Sequence, residues 1–80
     1  MIPLVGLFEG DFVALFVAVE EEDTVTKLAE KIAEHAVGLR VKQEPDRSFE
    51  VVYDGEVLPN VKKVKEVGIS PMDVVLVRYA

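Results

Sequence analysis

Apolar residues crowd Ile2 to Phe8 and again Phe12 to Val19, with Glu9-Gly10-Asp11 between them. Two β-prone runs around a short glycine-containing turn read as a β-hairpin. Glu20-Glu21-Glu22 closes the second run. The period then changes. Val25, Leu28, Ala29, Ile32 and Ala36 recur at helical spacing, and Lys27, Glu30, Lys31 and Glu34 fill the opposite face. Asp23 or Thr24 supplies the oxygen that caps this helix. Gly38 is placed to stop it.

Leu39 to Lys42 reads as a short extended piece, and Gln43 to Arg47, with Pro45, as a loop. Phe49 to Tyr53 is a third strand. Asp54-Gly55 is a hairpin turn signal, and Glu56 to Leu58 is the short strand after it. Pro59-Asn60 breaks the chain. Val61, Val64 and Val67 predict a turn of helix that Gly68 ends. Ser70-Pro71 turns the chain into a last strand, Asp73 to Tyr79. The order is β-β-α-β-β-(short helix)-β, in one domain over residues 1–80. A single amphipathic helix has one apolar face to bury. The natural surface for it is a mixed sheet of four or five strands, an α+β fold.

A sheet covered on one side alternates apolar and polar residues along each strand. The second strand does not. If Leu15, Val17 and Val19 face the helix, then Phe12, Ala14, Phe16 and Ala18 face away. In the last strand Val75, Val77 and Tyr79 inward leaves Val74 and Leu76 outward, and Val52 of the third strand joins them. An apolar outer face is the usual mark of a binding surface. A larger partner, a second copy, or the ordinary exposure of apolar atoms are the three explanations. Docking on a larger partner is the expectation.

Composition narrows the chemistry. The 80 residues carry a formal net charge of −6. Phosphate backbones are bound by Lys and Arg, so no nucleic-acid partner is expected, and anionic membranes are disfavoured for the same reason. No cysteine is present, which excludes disulfides, thiolate metal sites and Cys nucleophiles. The longest apolar run, Phe12 to Val19, is far short of the roughly twenty residues of a membrane helix. Met1 to Val5 lacks the basic region of a signal peptide. A cytoplasmic location is expected.

Catalytic and metal chemistry find little purchase. The acidic run Glu20 to Asp23 lacks the spacing of a calcium loop and stands where acidic residues stabilise a helix start. His35 is the only histidine, and three residues before it stands Ile32, so no helical Glu-x-x-His pair exists. Ser48 and Ser70 lie in turns without a nucleophile elbow. Gly6 and Gly10 lack the Lys-Ser or Lys-Thr of a phosphate loop. No catalytic residue, cofactor or metal ligand is expected in this chain.

The element order resembles the β-grasp of ubiquitin. Asp23-Thr24-Val25, Tyr53-Asp54-Gly55 and Val67-Gly68-Ile69 are similar to ubiquitin's signposts, in the same order. The chain ends Val77-Arg78-Tyr79-Ala80, without the Gly-Gly of conjugating ubiquitin-like proteins and sulfur carriers, so neither role is expected.

A narrower resemblance covers Pro3 to Tyr79. Phe8-Glu9-Gly10-Asp11-Phe12 matches the Phe-x-x-Asp-Phe hairpin of the gamma subunits of bacterial toluene and alkene monooxygenase hydroxylases. Ala29-Glu30-Lys31-Ile32-Ala33-Glu34-His35 matches their helix. Val37, Arg40, Val41, Leu58-Pro59 and Gly68-Ile69-Ser70-Pro71 follow at similar spacing, with Leu39 where that family usually has a second Arg. The resemblance implies a non-catalytic gamma subunit. Its partners would be a large alpha subunit, which holds a carboxylate-bridged di-iron centre, and a beta subunit. That complex would use O₂ and reducing equivalents to hydroxylate arenes or epoxidise alkenes. The matched positions Phe8, Asp11, His35 and Arg40 would then belong to the interface or its support, beside Phe12, Phe16, Val52, Val74 and Leu76 of the outer face. The second reading is a free-standing ubiquitin-like adaptor of the kind that accompanies bacterial secretion systems.

Overall fold

The computed structural model describes all 80 residues. Its strands are β1 (Ile2–Phe8), β2 (Leu15–Val19), β3 (Phe49–Tyr53), β4 (Glu56–Val57) and β5 (Val74–Tyr79). The helix α1 spans Val25–Ala33, and a single 3₁₀ turn spans Val64–Glu66. The five strands form one sheet in the order β2-β1-β5-β3-β4. β1 and β5 run parallel, and the other pairs are antiparallel. This is the expected β-grasp arrangement, with five strands.

Local chemistry explains the elements. Thr24 is the N-cap of α1, and its hydroxyl accepts the Lys27 amide at 3.2 Å. Asp54 (φ 53°) and Gly55 (φ 80°) both adopt the left-handed conformation, which a two-residue hairpin turn requires. Leu28, Ala29 and Ile32 bury the helix stripe against Leu4, Val17, Val19, Val51, Val75 and Val77 of the sheet's inner face. Gly6 lets the helix close in. A Cβ there would lie 2.7 Å from the Ile32 Cγ1.

Two segments differ from the sequence reading. The second strand begins at Leu15, not Phe12. β1 pairs with β2 only as far as Gly6↔Leu15, and residues 9–14 form a loop rather than a tight turn. Asp11 shapes that loop: its amide donates to the Phe8 carbonyl at 2.9 Å, and its carboxylate accepts the Val13 amide at 3.3 Å.

The second difference lies after the helix. α1 ends at Ala33, and the chain tightens through His35 and Ala36 by bonds three residues apart. Leu39 to Lys42 is not extended. Gly38 takes a φ of 83°, which reverses the chain. The amides of Leu39, Arg40 and Val41 then converge on the Ala36 carbonyl, at 3.2, 3.0 and 3.1 Å. This compact turn aims Arg40 back along the helix.

Candidate docking surface

The outer face of the sheet is built by period two. In the register, Val5 lies between Phe16 of β2 and Val74 of β5. Leu7 opposes Leu76, which opposes Val52, which opposes Val57 of β4. Pro3 and Ala18 extend the patch at one end. One apolar row thus spans β2, β1 and β5, and a second spans β1, β5, β3 and β4. Phe16 is 76% exposed, and Val57 and Val74 are also exposed. The charged pair paired across this face is Arg78 and Glu50, joined at 2.7 Å. It bounds the patch at the far end of β5.

Phe16, Val52, Val74 and Leu76 therefore share this face. Val5, Leu7 and Val57 share it too, although the sequence reading did not include them. The signal for Val5 and Leu7 was alternation along β1, masked because Gly6 contributes no side chain to the inward row.

Phe12 does not stand on the sheet face. It lies in the 9–14 loop, 88% exposed. Asp11, Arg40 and His35 come together beside it. Arg40 Nε donates to Asp11 Oδ1 at 2.8 Å, and its Nη2 donates to the His35 carbonyl at 2.7 Å. The Asp11 side chain is 0% exposed. The hydrogen bond from Arg40 holds its carboxyl below the ordinary value, against desolvation, which acts in the opposite sense. Asp11 in turn raises the pKa of Arg40. The His35 ring lies at the surface.

Phe8 does not stand at the surface, which leaves it a supporting position rather than a contact. It is only 2% exposed because its position in β1 faces the helix. It packs edge-on against Phe49 and Tyr79, with ring centroids 5.7 and 5.5 Å away. A partner cannot reach it. The Tyr79 hydroxyl donates to the Lys42 carbonyl at 2.9 Å and accepts the Glu44 amide at 3.0 Å, tying the 42–47 loop to this cluster.

A further charge cluster joins the strand-to-helix turn to the 3₁₀ turn. Glu22 takes an ion pair from Lys63 at 2.7 Å and another from Lys65. These bonds hold its carboxyl at about 2. Nowhere do three acidic or histidine side chains converge. The residues do not fit a di-iron or zinc site. No helix is long and apolar enough to cross a membrane.

The family described as toluene-4-monooxygenase system protein B (TmoB) matches residues 1–79. The chain belongs to the TmoB family. A relative from Xanthobacter autotrophicus, described as the gamma subunit of the oxygenase component of an alkene monooxygenase system, is 48% identical over 59 residues. The match covers 72% of this chain and 67% of the relative. Among solved structures, a chain of toluene 4-monooxygenase in its HD complex with the inhibitor 4-bromobenzoate superposes with a TM-score of 0.92 at 30% identity. It covers 99% of this chain and 98% of that one. A ubiquitin from Caldiarchaeum subterraneum superposes with a TM-score of 0.76 at 18% identity, over 99% of this chain and 92% of that one. This last likeness is one of fold alone. In this TmoB-family protein the outer face carries the apolar rows, and the Asp11–Arg40 pair lies beside the exposed Phe12.

Proposed function

We propose that this chain is the gamma subunit of a multicomponent monooxygenase that acts on arenes or alkenes. It is an accessory subunit without catalytic residues of its own, working in the cytoplasm. It docks on the large subunit, which carries the di-iron centre, with the beta subunit completing the assembly. The two uninterrupted apolar rows on the outer sheet face carry this reading. Patches of that kind on a small domain mark association surfaces. Phe16 is the natural anchor, since large exposed aromatics dominate interface energies. Membership of the TmoB family and the relative in an alkene monooxygenase favour a monooxygenase partner. The adaptor reading draws on fold likeness only.

The test is co-expression of tagged chain with the large and beta subunits of the same host. The unaltered chain should recover an iron-containing complex, and Phe16→Asp should recover none. The variant must keep its native circular dichroism and melting temperature. An intact complex with Phe16→Asp would move the interface away from the outer face. Failure of the unaltered chain to bind would remove the gamma-subunit reading.

A further inference from the structure

The two borders of the sheet are unequal. β4 offers only two residues, Glu56–Val57, whereas β2 offers five, Leu15–Val19, all apolar. A long apolar edge strand is a template on which another strand adds. In an antiparallel strand, both main-chain groups of a residue point to the same side, alternating along the chain. The Ala18 carbonyl points away from β1, because it accepts Lys31 Nζ at 3.3 Å. Phe16 and Ala18 therefore turn their main-chain groups outward, and Glu20 follows them.

The end of this outward row is covered by two side chains. Lys31, in the last turn of α1, reaches across to the Ala18 carbonyl. The Glu20 amide donates to Asp23 Oδ2 at 2.9 Å. The same oxygen binds Lys31 Nζ at 2.7 Å. Asp23 is held in place because its own amide donates to the Glu20 carbonyl at 3.0 Å, closing a turn. Helix, turn and edge strand are thus stitched together by one carboxylate oxygen and one ammonium.

We propose that Lys31 and Asp23 form an edge lock that keeps a second copy of the chain from adding its β2 alongside this β2. A second copy is the occupant to be feared. Two identical edges meet about a two-fold axis, the commonest symmetry of self-association. The union would also run one apolar outer face into the other, with Phe16 at the seam. The lock opposes it, because an incoming strand must displace Lys31 from the Ala18 carbonyl and Asp23 from the Glu20 amide, and then lie against both charges. The proposal is independent of the monooxygenase partner, since it concerns the sheet border and not the outer face.

The test uses Lys31→Met, which keeps the aliphatic stem and helix propensity but removes the ammonium, and Asp23→Asn, which weakens the same link while keeping the side chain's shape. Sedimentation velocity over a concentration series should show both variants associating at least about tenfold more tightly than the parent. The amides of Phe16 and Ala18 should become more protected from hydrogen exchange as concentration rises. Lys31→Arg should stay monomeric. Variants that remain natively folded monomers would overturn the proposal. So would association that leaves those two amides unprotected, because that would be contact through the sheet face.

Discussion

Arg40 donates to Asp11 across 29 residues of sequence, Nε to Oδ1 at 2.8 Å. The bond joins the turn after α1 to the loop that follows β1. It fixes the base of Phe12, the most exposed aromatic side chain. Asp11→Asn keeps the shape and removes the charge. Residues 9–14 should loosen, and exchange of the Val13 amide should accelerate by about tenfold or more while core amides such as Val77 stay protected. Equal acceleration throughout would mean that the pair supports the whole fold rather than this loop. Asp11 is lowered in the folded chain, so its contribution is full above the ordinary Asp range and fades as pH falls through the depressed value.

Phe8 and Phe12 stand four residues apart in opposite environments. Phe8→Ala empties the aromatic cluster with Phe49 and Tyr79 and should cost about 3–5 kcal/mol of unfolding free energy. Phe12→Ala should change the free chain by less than about 0.5 kcal/mol. Urea denaturation of both variants decides this. Similar losses would show that Phe12 is packed in solution.

At Gly6 the helix lies so close to the sheet that Ile32 fills the space a Cβ needs. Gly6→Ala should destabilise by about 1–3 kcal/mol, because Ile32 is fully buried and the crowding cannot be relieved outward. A stabilised variant in the same denaturation experiment would refute the close approach.

Thr24→Ala removes the cap of α1 and leaves the Lys27 amide without its partner. A loss of about 1 kcal/mol is expected. Thr24→Ser should restore most of it, as read by thermal melting.

Glu22 should titrate at about 2, well below an ordinary glutamate, because Lys63 and Lys65 both bond it. Its folded value is depressed. The stability it contributes is therefore present above the ordinary range and lost as pH falls toward about 2. Carboxyl carbon shifts followed by NMR give the midpoint directly. Glu22→Gln should flatten the acid limb of the stability profile over that interval, and a midpoint in the ordinary range would show the pairs to be open in solution.

Much of the fold was legible because its signals are local. Thr24 at the helix start, the helical stripe from Val25 to Ile32 and Asp54-Gly55 at the hairpin each act through residues within one or two turns. The outer-face positions Phe16, Val52, Val74 and Leu76 were legible by alternation. The loop from Glu9 to Ala14 and the turn from Leu39 to Lys42 were not. Phe12-Val13-Ala14 has the composition of a strand, and what withholds it from the sheet is the Asp11 carboxylate held by Arg40, a contact no local window contains. Phe8 was left undecided for a related reason. Its family motif marks it as important without saying whether it is so by packing or by contact.

The placement of β5 between β1 and β3 has a consequence for synthesis. The strand that unites the two hairpins is made after the other four. A nascent chain that has reached Met72 holds two hairpins and a helix with no strand between the hairpins, and both sheet ladders joining the halves are missing. Cooperative folding must therefore await emergence of residues 74–79 from the ribosome. A stop codon that removed them would delete the centre of the sheet rather than trim its border.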